Sequence, residues 1–156
     1  MILIIDFGSQ YNQLIARRVR ENHVYCQIEP PGISIAAIRE MEPEGIILSG
    51  GPASIYSKGA PRVDKKIFKL GIPVLGICYG LQYMIDSLGG KVISSPKREY
   101  GFAELLVKTQ KGIFRGVARK TPCWMSHGDS IGELPKGFAV TATTANTAVA
   151  AAQDVR

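Results

Sequence analysis

The chain has 156 residues, 46% apolar and 21% charged, a globular composition that suits one domain with a normal core. Its net charge is +6, but the Lys and Arg are scattered and carry no aromatic cluster, so a solvated basic surface or a docking face is expected and nucleic-acid binding is not. No run is long and apolar enough to cross a bilayer, residues 1–5 lack the basic flank and cleavage site of a signal peptide, and Cys26, Cys78 and Cys123 form neither a disulfide framework nor a zinc pattern; a reducing, cytoplasmic setting with no membrane and no metal is expected.

The first ninety residues alternate between two periods. Residues 2–6 read as a buried strand. Residues 10–22 place Leu14, Ile15 and Val19 among Arg17, Arg18 and Arg20 at helical spacing, with Ser9 as the expected cap. A strand over 24–28, a helix over 34–41 (Ile35, Ile38 and Met41 on one face) and a strand over 45–48 follow. The third strand is cut by Ser49-Gly50-Gly51-Pro52. A helix over 62–70 keeps Val63, Ile67 and Leu70 in phase, and a strand over 73–77 leads into a helix over 79–88 that Gly89-Gly90 stops. Strands apolar on both faces with helices between them predict an α/β fold, a doubly wound, mostly parallel sheet with helices on both faces. After Gly90 the pattern becomes β-rich: short strands over 91–93, 104–108, 122–126, 138–144 and 148–153. They are expected to form a meander that extends the sheet or covers one edge.

The sharpest chemical feature is Gly76-Ile77-Cys78-Tyr79-Gly80, at the junction of an apolar strand and a helix. That is the pattern of a nucleophile elbow, a tight turn that presents one side chain at the carboxyl end of the sheet. The positive end of the helix is expected to lower the Cys78 pKa and raise its thiolate fraction. Cys26 and Cys123 lack this setting and read as core residues. Ser49-Gly50-Gly51-Pro52 follows the third strand, so it also belongs at the carboxyl edge. It reads either as a plain turn or as a source of backbone N–H groups which, with that of Tyr79, make an oxyanion hole. A cysteine nucleophile calls for a histidine base, and the chain has only His23 and His127. His23 reads as a surface helix-end residue. A Cys78/His127/Asp129 triad is conceivable, but Asp129 is only two residues from His127 and would have to fold back to orient it. The other reading of His127 is a turn residue that shapes a pocket.

Together these segments resemble the class I glutamine amidotransferases along nearly the whole chain. Ser49-Gly50-Gly51-Pro52 and Gly76-Ile77-Cys78-Tyr79-Gly80-Leu81-Gln82 carry the features of the class. Ile5-Asp6-Phe7-Gly8-Ser9-Gln10-Tyr11, Arg98-Glu99-Tyr100-Gly101 and Trp124-Met125-Ser126-His127-Gly128-Asp129 carry a closer resemblance, to the branch that supplies ammonia for GMP formation. The resemblance implies a flavodoxin-like amidotransferase domain over 1–156. It implies that Cys78 attacks the glutamine side-chain amide to form a glutamyl thioester, and that the N–H groups of Gly51 and Tyr79 hold the oxyanion. Gln82 and the backbone around Ser126, Gly128 and Asp129 would hold the amino-acid end of glutamine. No cofactor is implied in this domain. Ammonia would pass to an ATP pyrophosphatase (synthetase) domain, fused or a separate subunit, that uses Mg-ATP to adenylate XMP and aminates it to GMP. A homodimer of the complete enzyme is compatible with this reading.

Two departures accompany the resemblance. The family places its triad histidine and glutamate in a His-Pro-Glu motif near the end of the domain, and no His-x-Glu follows Cys78. The residue matching His127 is not the family's base, which weakens the local triad further. The chain is therefore expected to be truncated before its base and inactive alone, with the synthetase domain absent. An amidotransferase serving anthranilate or carbamoyl phosphate synthesis, and a non-catalytic glutamine-binding module, are the competing readings.

Overall fold

The computed structural model describes the backbone of residues 1–156 and the side chains of all but 95–99. Arg98 and Glu99 of the fourth motif thus lie outside the residues whose side chains are described. The chain divides into two compact units, Met1–Ser87 and Leu88–Arg156.

In the first unit, β1 (Ile2–Ile5), β2 (Cys26–Glu29), β3 (Gly45–Leu48) and β4 (Val74–Gly76) form a parallel sheet in the order β2-β1-β3-β4. The helices between them are α1 (Asn12–Glu21), α2 (Ile35–Met41) and α3 (Tyr79–Ser87). Leu3, Ile4, Ile5, Ile46 and Leu48 are buried, as expected of strands covered on both faces. Burial of these side chains is the main source of stability, at roughly 1.5–3 kcal/mol each. Ile4, Ala16 and Cys26 form a cluster on which Ile15, Val19 and Ile28 pack.

Three local expectations give way. Leu14 is exposed, because α1 turns Ile15, Ala16 and Val19 to the sheet instead. Ser9 does not cap α1. The cap position is Tyr11, and the Ser9 hydroxyl accepts from the Tyr11 N–H (3.0 Å), closing a turn before the helix. The helix over 62–70 is only a 3-10 turn, Lys65–Lys69, capped by Asp64. Val63 and Ile67 are buried as expected, but the carbonyls of Pro61 and Val63 accept hydrogen bonds from the hydroxyls of Tyr79 and Tyr83, which ties down the start of the segment. By contrast, the Ser34 side chain caps α2, accepting from the Ala37 N–H at 3.1 Å.

The second unit is antiparallel. Strands β5 (Lys91–Val107), β6 (Lys120–Glu133), β7 (Phe138–Thr143) and β8 (Ala151–Asp154) form a separate sheet in the order β6-β5-β7-β8. The C-terminal strands therefore do not extend the parallel sheet as a meander. Two expected strands are one long strand, β5, which pairs with β6 through most of its length and with β7 near its end. The hairpin is irregular, with register shifts at Lys91/Val92 and between Ser94 and Glu99. These breaks interrupt the two-residue period that a sequence pattern relies on.

Candidate functional site

Three loops meet at the carboxyl edge of the parallel sheet, the edge where open α/β sheets place their ligands. They follow β1, β3 and β4. Cys78 sits between β4 and α3 with φ +49°, a left-handed conformation that L side chains rarely adopt. The strain is of order 1–3 kcal/mol and is held by its surroundings. Ile77 donates its N–H to the Leu48 carbonyl (2.9 Å), and Gly80 and Gln82 donate to the carbonyls of Ile77 and Cys78 (2.9 and 3.0 Å). The flanking glycines permit this turn. A β-carbon on Gly76 would lie 2.6 Å from the Leu81 nitrogen, and one on Gly80 would overlap the Leu48 carbonyl oxygen.

The glycine loop packs directly on the elbow. A β-carbon built on Gly50 would stand 3.6 Å from the Cys78 Cβ and 3.7 Å from the Ile77 carbonyl oxygen. One on Gly51 would collide with the Phe7 carbonyl oxygen, so this backbone too must be glycine. Ser49, fully buried, anchors the loop: its Oγ accepts the Phe7 N–H at 3.0 Å and donates to the Gly50 carbonyl at 2.9 Å. The Tyr79 N–H is among the first four of α3, which have no acceptor within a helix. The Gly51 N–H takes part in none of the turn or loop backbone bonds among the described residues.

Aromatic packing fixes the site from below. The Phe7 ring meets the Tyr79 ring edge-on at 5.1 Å and the Tyr83 ring at 5.6 Å. Phe7, Tyr79 and Tyr83 are all buried. Sequence reasoning placed the Phe7 segment only by resemblance. Its position just after β1, at the same edge as the two glycine motifs, was the signal that it belongs here.

Cys78 is exposed to solvent, and Cys26 is buried as expected. Cys123, expected in the core, is half-buried on β6 opposite Ala103. The electrostatics of Cys78 reverse the sequence expectation: desolvation in the crowded elbow pushes its thiol up from the ordinary value. A short helix end favours the thiolate by only about 0.3–1 kcal/mol, a small effect to set against burial. Desolvation likewise pushes up the hydroxyls of Tyr79 and Tyr83, so both remain hydrogen-bond donors at neutral pH.

The first unit thus brings together Cys78, Gly51 and Tyr79. Gln82, one turn into α3, is buried. Ser126, Gly128 and Asp129 lie together on β6 in the second unit, with Ser126 exposed and the other two half-buried. His127 is on the same strand, in register with Glu99, and Asp129 is in register with Ser94. His23 is exposed just past the end of α1, at φ +59°. Among the described residues there is no cluster of three metal-binding side chains, and no helix is long and apolar enough to cross a membrane.

The family profile of class-I glutamine amidotransferases matches residues 3–156. Among curated relatives, the GMP synthase [glutamine-hydrolyzing] of Heliobacterium modesticaldum is 56% identical over 153 residues, 98% of this chain and 30% of that protein. The protein of the same name from Brachyspira hyodysenteriae is 52% identical with the same coverage. The chain therefore spans about 30% of the length of the curated relatives it matches. Among solved structures, a GMP synthase component from Thermoplasma acidophilum superposes with TM-score 0.79 at 29% identity, covering 98% of this chain and 77% of the other. A glutamine amidotransferase from Thermotoga maritima gives 0.78 at 20% identity, covering 94% and 67%, a likeness of fold.

Proposed function

The chain belongs to the class-I glutamine amidotransferases, and on that premise we propose that it releases ammonia from glutamine for the amination of XMP to GMP. The observation that carries this reading is the elbow itself: an exposed cysteine held at φ +49° with a glycine loop packed against its β-carbon. The identities above 50% to proteins named as glutamine-hydrolysing GMP synthases favour GMP formation over anthranilate or carbamoyl phosphate synthesis.

In this reading the Cys78 sulfur adds to the side-chain amide carbon of glutamine, and the C=O electron pair moves to oxygen. The N–H groups of Gly51 and Tyr79 receive that developing charge, each worth about 10²–10³-fold in rate. Collapse of the adduct expels protonated nitrogen as ammonia and leaves a glutamyl thioester. Water then cleaves the thioester to glutamate and the free thiol. Within the first unit, Gln82 is assigned to the amino-acid end of the substrate, as the family resemblance implies. A thiol held above its ordinary pKa needs a base to become a nucleophile near neutral pH. The family's base belongs to a His-Pro-Glu motif that is not among these 156 residues. We assign XMP and Mg-ATP to a synthetase domain, fused or separate, and the activity to the cytoplasm.

The test is labelling of the full-length protein by a diazoketone analogue of glutamine. Cys78 is expected to be the residue modified. Cys78→Ala is expected to abolish labelling and to lower glutamine-dependent GMP formation by about 10³-fold or more, while formation from added ammonium persists. Labelling that survives in Cys78→Ala overturns the reading.

A further inference from the structure

The segment that follows the glycine turn is held at both ends by the residues that frame the elbow. At its start, Gly51 lies against the Phe7 carbonyl, and the Phe7 ring packs on the ring of Tyr79. At its end, the Tyr79 hydroxyl donates to the Pro61 carbonyl at 2.6 Å. One turn further along α3, the Tyr83 hydroxyl donates to the Val63 carbonyl. Between these ends the segment is cross-linked to itself. Ser57 donates its N–H to the Ser54 carbonyl (3.0 Å) and Ala60 to the Ser57 carbonyl (3.1 Å). Arg62 reaches back to the Ile55 carbonyl (2.7 Å), and Ile55 is buried. These bonds stiffen the segment from Ser54 to Arg62, so only the few residues before Ser54 separate the braced part from Gly51.

The geometry points to Tyr79 as a positioning residue: its backbone N–H is one oxyanion donor, and its hydroxyl, through Pro61 and the segment braced over 54–62, restrains the short stretch that leads back to Gly51 and so holds the Gly51 N–H in register with it. The inference rests on the amidotransferase reading above. It adds to that reading a role for a side chain that cannot touch the substrate, because Tyr79 is buried and its hydroxyl faces the loop. It also gives a reason for an aromatic hydroxyl at this position, where phenylalanine would fill the same space. Alignment errors of about 1 Å remote from the chemistry cost up to 10²-fold in rate. A donor that is loosened but still present should cost less than its removal.

The test is Tyr79→Phe in the full-length protein, which removes one oxygen and keeps the ring against Phe7. The kcat for glutamine hydrolysis is expected to fall about tenfold with KM for glutamine changed less than twofold, because oxyanion donors act in the transition state. Inhibition by the γ-aldehyde analogue of glutamine should weaken in parallel. Its carbonyl carbon takes the Cys78 sulfur and its oxygen becomes the bound oxyanion. Tyr83→Phe removes the neighbouring strap and is expected to leave kcat within threefold. A kcat for Tyr79→Phe within twofold of the parent, or an equal fall in Tyr83→Phe, overturns the inference. Should Tyr79→Phe melt below the assay temperature, Arg62→Ala decides instead, since it unbraces the same segment at an exposed residue. Its kcat should fall several-fold at constant KM, and an unchanged kcat overturns the inference. Cys78→Ala, run alongside, separates the two levels: activity retained there sinks the amidotransferase reading itself, whereas activity lost there but intact in Tyr79→Phe sinks only the role of the hydroxyl.

Discussion

The two units solve the problem of burying a sheet in opposite ways. In Met1–Ser87 the strands are parallel, and the two central ones, β1 and β3, carry only apolar side chains, so they offer no group for chemistry. The reactive groups move to the loops at the carboxyl edge, and the backbones there approach so closely that a β-carbon at Gly51, Gly76 or Gly80 meets another main chain. In Leu88–Arg156 the sheet is antiparallel, and β5 alternates strictly over its second half: Ala103 and Val107 are inside while Phe102, Glu104 and Leu106 face out. Trp124, 79% exposed, stacks edge-on against its cross-strand partner Phe102 at 6.5 Å. One unit is constrained by backbone contacts that tolerate no added atom. The other is built on side-chain pairs that tolerate exchange.

The contrast is broken most directly by adding one methyl group. Gly80→Ala should cost about 3 kcal/mol or more in chemical denaturation, because the new β-carbon meets the Leu48 carbonyl rather than a movable side chain. Trp124→Ala removes far more atoms, yet should cost only about 0.2–1 kcal/mol, the scale of an exposed cross-strand pair. Equal losses would mean that the first unit relaxes around its glycines.

A second contrast concerns charge. Because desolvation raises the Cys78 pKa in the folded chain, the folded state holds the thiol proton more tightly than the unfolded one. The resulting stability is fully present below the unfolded thiol's pKa and is lost as pH rises through the folded value. In this 156-residue chain, alkylation of Cys78 by iodoacetamide should accelerate with pH along a curve centred above the ordinary thiol midpoint. A midpoint below the ordinary value would show that the helix end governs after all.

The smallest effect separates functional strain from incidental strain. Glu42 closes α2 at φ +46°, as the elbow cysteine closes its turn at φ +49°. Nothing in the proposed chemistry uses Glu42, and Glu42→Gly should stabilise the chain by a few tenths to about 1 kcal/mol in thermal melts. A destabilised Glu42→Gly would mean that the side chain contributes something its exposed position does not suggest.

Much of the site was legible because its signals are local. A strand ending in Gly-Ile-Cys-Tyr-Gly and one ending in Ser-Gly-Gly-Pro announce tight turns whatever the rest of the chain does, and parallel topology sends both to one edge. Less local features were not legible. The direction of the Cys78 pKa shift depends on how many atoms the folded elbow brings around the sulfur. The 3-10 turn in place of a helix over 62–70 reflects a segment tied to α3 by the hydroxyls of Tyr79 and Tyr83, which override its apolar spacing.

What the sequence by itself determined is the alternation of strand and helix to Ser87, the 62–70 segment apart, with the two glycine turns and the nucleophile they frame, since each follows from side-chain period and backbone sterics within a dozen residues. Only the tertiary structure decided that the later strands form their own sheet, that Phe7 and Ser49 lock the glycine loop, and that the Tyr79 hydroxyl meets the Pro61 carbonyl. The reason is physical: strand pairing and buried hydrogen bonds join residues distant in the chain, and periodicity carries no information about which distant partner a strand end or a hydroxyl will find.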